Sequence, residues 1–146
     1  MKFLLTILFF VVLIIILLNR SNKMLDELKK RYSILLNAVQ FNEKYGNLSE
    51  NRSIITGMKR KEDTIAYNVN KGYEIYIAID EESDINSAMY VLLHEIAHST
   101  LDDYDHSKEF WENFKELREI AERANIYTPI KESKYCGQTI KDSIIS

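Results

Sequence analysis

His94, His98 and His106 are the only histidines in the 146 residues, and they fall within one short stretch. The first two flank a glutamate in His94-Glu95-Ile96-Ala97-His98. Residues four apart on an α-helix lie one turn above each other on the same face, so both imidazoles can close on a single ion. Zinc binds histidine nitrogen at about 2.0–2.1 Å and in catalytic sites keeps three protein ligands and a water. To hold zinc here the chain must build a helix across this stretch and bring a third ligand to its face. Glu95, beside the pair without ligating, is placed to take a proton from a water that the metal has acidified to a pKa of roughly 7.

The flanking sequence supports that helix. Asp84 is an N-cap candidate, and no Gly or Pro interrupts the chain from there to Thr100. Ile85, Met89, Leu92, Leu93 and Ile96 make one face, and Ser87, Tyr90, Val91, His94, His98 and Leu101 the other. A helix apolar on nearly all sides is a buried one, and polar groups inside it need partners. Zinc provides one, and ordinary hydrogen bonding in a core helix is the plainer alternative. For the third ligand His106 is the natural candidate, with Asp102, Asp103, Asp105 and Glu109 near enough to compete. A further helix begins at about Ser107, where Phe110, Phe114, Leu117, Ala121 and Ala124 repeat at helical spacing as core positions. Trp111 reads as packing or as the wall of a substrate cleft. Asp105 and Glu109 are candidates to accept from the second nitrogen of a ligating histidine.

The histidine pattern followed by Phe110 resembles the zinc site of the SprT-like and WLM-domain metallopeptidases. More narrowly, residues 106–115, 125–130 and 135–137 resemble WLM-like metallopeptidases of large DNA viruses of algae and protists. The resemblance implies a zincin-like domain with Zn2+ as cofactor, His94, His98 and His106 as ligands, Glu95 as general base, and a peptide or protein substrate.

Phe3 to Leu18 is a run of apolar residues broken only by Thr6. As a helix it spans about 24 Å, short of the ~30 Å hydrocarbon core but close to the thinner bilayers. No small residues stand at its end as a signal-peptidase site requires, so residues 1–20 are expected to form a transmembrane signal anchor and 21–146 the metallopeptidase domain. Arg20, Lys23, Lys29, Lys30 and Arg31 follow the run and only Lys2 precedes it, which places the domain on the cytoplasmic side of a single-pass protein. In that topology Asn47 and Asn51, each in a glycosylation acceptor triplet, stay bare.

With a formal charge of −3 the chain has no general attraction to nucleic acid, and Lys59-Arg60-Lys61 is followed at once by Glu62-Asp63. This argues against the crosslink-repair proteases among the relatives, which work at DNA. A catalytically idle zinc-binding adaptor is the remaining alternative, and Glu95 speaks against it, since a structural site has no use for an unligated carboxylate. Cys136 is the single cysteine and excludes an internal disulfide. Tyr135-Cys136-Gly137 is a candidate to fold back over the site, where Tyr135, Tyr90, Tyr104 or Tyr127 would meet an oxyanion.

The fold class expected is α+β. After a polar joint at Asn19 to Asn22, an amphipathic helix runs from Lys23 to about Tyr45 and ends at Gly46-Asn47. Ser53–Met58, Thr64–Val69 and Tyr73–Ile79 follow as a small antiparallel sheet with a tight turn at Asn70-Lys71-Gly72. The zinc-binding helix, the second C-terminal helix and a tail complete the order.

Overall fold

The computed structural model describes residues 1–80, 82–103 and 105–141. Its elements are α1 (Lys2–Val39), α2 (Gly46–Glu50), β1 (Ile54–Met58), β2 (Ala66–Val69), β3 (Glu74–Ala78), α3 (Ile85–Ser99), α4 (Lys108–Arg123), β4 (Ser133–Tyr135) and β5 (Gln138–Ile140). The α+β class is as the sequence indicates.

The polar joint expected at Asn19 to Asn22 is no break. α1 runs through it without interruption. Asn, Arg and Ser each cost a helix only fractions of a kcal/mol, and ending it there would leave eight backbone groups without intrahelical partners. The two halves of α1 differ in burial. Phe3 to Ile16 are exposed, whereas Leu28, Tyr32, Leu35, Leu36 and Val39 are in the core. The helix also stops earlier than the spacing predicts. The Asn42 side chain accepts from the amides of Lys44 and Tyr45 at 2.8 and 3.1 Å, forming a turn that competes with helix continuation. Gly46 then opens the short α2 rather than closing α1.

The sheet is mixed, not antiparallel. Its order is β1-β3-β2, with β1 parallel to β3 (Ile55 opposite Ile75) and β2 antiparallel to it (Asn68 opposite Ile75). The predicted hairpin between the second and third strands is present, with Asn70, Lys71 and Gly72 all at positive φ. β1 joins the opposite edge of β3 because it is held against α1. The amide of Ser53 donates to Tyr32 Oη at 2.9 Å, and a Cβ on Gly57 would lie 3.2 Å from Leu25 Cδ2. Residues 59–65 then carry the chain across the end of β3.

α3 packs between the sheet, α1 and α4. It buries Met89, Leu92, Leu93 and Ile96 on one side and Val91 and His98 on the other. Asp84 caps it, its carboxylate accepting from the amide of Ser87 at 2.9 Å. α4 is capped by Ser107, whose hydroxyl accepts from the amide of Phe110, and it presents Phe110, Phe114, Leu117 and Ala121 to the core. The tail is not irregular. β4 and β5 form a hairpin around the pair Cys136-Gly137, both at positive φ as a type I′ turn demands.

Candidate metal centre

One turn of α3 separates His94 from His98, and the polar segment after the helix brings His106 back to meet them. The turn has a definite anchor. Thr100, at the C-terminus of α3, donates its hydroxyl to Ala97 O at 2.7 Å and accepts from Asn113 Nδ2 of α4 at 2.8 Å. This ties the end of one helix to the flank of the next and fixes where the chain re-enters at Ser107. His106 itself is exposed, but its ring stacks on Trp111 at 5.6 Å between centroids and meets Phe110 at 4.7 Å. Trp111 therefore does both things the sequence allowed, since it packs on a candidate ligand and lines the adjacent cleft.

Candidate ligand atoms of the three imidazoles lie within 4.8 Å of one another, and His94 Nε2 is 3.2 Å from His106 Nε2. Two nitrogens at 2.0–2.1 Å from a tetrahedral zinc stand about 3.3 Å apart, so this separation fits the edge of such a site. His98 Nδ1 is buried with no hydrogen-bond partner among the described residues, an orphaned polar atom of the kind that marks a ligand site. Burial, then the neighbouring His98 and His106, pushes the His94 pKa down to about 3, and burial with His106 lowers that of His98. Neutral rings with free lone pairs are the form a metal takes. The residues present thus fit a zinc ion.

Glu95 is 8 % exposed and faces β2. Burial raises its pKa to about 7, opposed by a hydrogen bond from Asn68 Nδ2 to Glu95 Oε2 at 3.1 Å. Asn68 is the site residue that the motif did not reveal. The available signal is strand alternation, which puts Ala66 and Asn68 on the sheet face that α3 covers and makes Asn68 a polar residue in an inward position. Its Oδ1 is buried without a partner.

Other candidates are placed elsewhere. Asp102 pairs with Lys71 at 3.4 Å and is fully exposed. Among the described residues neither Asp105 nor Glu109 hydrogen-bonds a histidine ring, so the supporting carboxylate expected from sequence is not in place. Tyr135 donates to Ala78 O at 2.5 Å and Cys136 Sγ approaches the same oxygen at 3.5 Å, so both close the end of β3 rather than the site. Tyr127 is buried, Tyr90 donates to Lys141 O at 2.9 Å, and Tyr104 lies outside the described residues. The tail does reach the site, but through β5. Gln138 to Lys141 face Asp63 to Ala66 across a cleft of about 480 Å³ whose floor includes His94, Glu95 and Trp111. Gln138 Nε2 donates to Asp63 O and bridges the two walls.

A family model described as the WLM domain matches residues 18–145. An uncharacterized protein of Invertebrate iridescent virus 6 is 31% identical over 130 residues, covering 80% of this chain and 72% of its own length. An uncharacterized protein of Acanthamoeba polyphaga mimivirus is 34% identical over 89 residues, covering 55% of this chain and 45% of its own. No solved structure matches.

Proposed function

The chain belongs to the WLM-domain family, and from that premise we propose that it is a zinc metallopeptidase held to a membrane by residues 1–20, with residues 21–146 as a zincin-like catalytic domain. WLM domains are in general metallopeptidase-like. The observation that carries the reading is the convergence of three imidazoles next to one buried carboxylate in a cleft. His94, His98 and His106 would hold the ion. Zinc, when bound, acidifies a water and polarises the scissile carbonyl.

The chain's own residues account for the rest. Glu95 accepts the proton of the attacking water and returns it to the departing amine. Asn68 holds Oε2, which leaves Oε1 to exchange the proton. β2 is an edge of the sheet, and its outer backbone groups are available to an extended peptide laid beside it, as β-augmentation requires. Trp111, Val91 and Ile140 make the apolar part of the wall that such a peptide meets. The anchor is supported by α1, whose N-terminal half is long and apolar enough to cross a membrane and is not buried by the domain.

The test is metal analysis and peptide cleavage with the full chain purified in detergent. One zinc per chain and chelator-sensitive hydrolysis are expected. Zinc without hydrolysis of any peptide in a diverse set would leave the idle adaptor, and absence of metal would remove the reading altogether.

A further inference from the structure

The domain lies along α1 in a fixed direction. Ser49 Oγ donates to Leu36 O at 3.0 Å, Arg52 to Ser33 Oγ at 3.1 Å and the Ser53 amide to Tyr32 Oη at 2.9 Å, and Gly57 then abuts Leu25. From residue 49 to 57 the chain thus steps back along the helix toward its apolar half. β3 is parallel to β1 and β2 antiparallel to β3, so the end of β1, the end of β3, the start of β2 and residues 59–65 all share the apolar-run side of the domain. The β4–β5 turn joins them there, with Tyr135 on Ala78 O and Gly137 against Arg60. At the opposite end Ser99 of α3 meets Gly72. The cleft walls, Asp63 to Ala66 and Gln138 to Lys141, consequently stand at the anchor side, and Glu95, level with Asn68, lies deeper.

The height of that side follows from helix rise. Leu25 comes about 10 Å after Leu18, and each headgroup layer is about 5–7 Å thick. With α1 continuous through residues 19–25, no hinge lets the domain swing away. We propose that the cleft opens toward the bilayer and that its substrate is a segment of another membrane-associated protein running close above the headgroups. This rests on the anchor and peptidase readings above.

The full chain is reconstituted in phosphatidylcholine vesicles carrying a headgroup-attached acceptor dye. A donor dye is placed at Thr139→Cys or Asn51→Cys, exposed positions at opposite ends of the sheet, each in a Cys136→Ser background. Since the strands hold the two ends roughly 16 Å apart, transfer from residue 139 should exceed that from residue 51 by at least about twofold. Equal or reversed transfer overturns the orientation. In the same vesicles, the peptide cut fastest in solution is built into a single-span reporter, either next to the bilayer or beyond a long Gly/Ser linker. The near site should be cut several-fold faster, and equal rates overturn the substrate class. Failure of the chain to float with vesicles overturns the anchor and this inference together, whereas asymmetric transfer with neither reporter cut overturns the substrate class while the orientation stands, as does the peptidase reading, which cleavage of that peptide in solution tests separately.

Discussion

Glu95 and Asn68 divide one task between a helix and a strand, and substitutions separate their shares. Glu95→Gln keeps the shape and removes the base, so hydrolysis should fall about 10²–10⁴-fold with zinc retained; a variant as fast as the parent would place the base elsewhere. Asn68→Ala deprives the carboxylate of its donor. A hydrogen bond to a charged group is worth about 1.5–3 kcal/mol, so kcat should drop roughly ten- to a hundredfold with KM and zinc content unchanged. Loss of zinc instead would mean that Asn68 serves the fold. His106→Ala should lose most of the metal, read by equilibrium competition with a chelating dye. Asp105→Ala and Glu109→Ala should leave affinity as it is, since neither touches a ring, and a loss with either would restore the carboxylate that the sequence alone suggested.

At the level of elements, most of α3 and α4 was legible. The cap at Asp84, the helix start near Ser107 and the apolar faces follow from the 3.6-residue period and capping chemistry, whereas the return of His106 is held by the Thr100–Asn113 contact, which lies between elements. Strand pairing was not. Alternation says which residues share a face but not which strand lies beside which, and β1 takes its place through contacts with Tyr32 and Leu25 that are remote in sequence. The β4–β5 hairpin was missed because its strands are three residues long, although a Cys-Gly pair between them offered a turn signal. Alternation marks Asn68 only as an inward polar residue, and its partner, Glu95, is twenty-seven positions away on another element. The β2–β3 turn carries its own test. Gly72 has φ +88° and sits where a Cβ would overlap the Ser99 hydroxyl. Gly72→Ala should cost about 1–2 kcal/mol from the backbone alone, and more from the overlap, seen as a lower midpoint in urea unfolding. An unchanged midpoint would show that the turn shifts freely off α3.

For the whole molecule, α1 is both the apolar segment and a wall of the core, so the boundary between the apolar run and the domain is one of environment rather than of structure. Removing residues 1–22 should give a folded, cooperatively melting protein. Removing residues 1–36 takes Leu28, Tyr32, Leu35 and Leu36 with it and should leave a chain without a thermal transition. A sharp transition in the shorter form would show that α1 is dispensable to the core.

The same continuity governs how the molecule bears load. A pull on the N-terminal segment would act along the axis of α1, and residues 49–57 run antiparallel to that axis with contacts from Leu25 to Leu36. Those contacts are strained together in shear instead of being peeled one by one. If residues 1–20 cross a bilayer as proposed, tension on them passes through the helical turns of residues 19–25 to Leu28 and Tyr32, so extracting the protein from the membrane also loads its core.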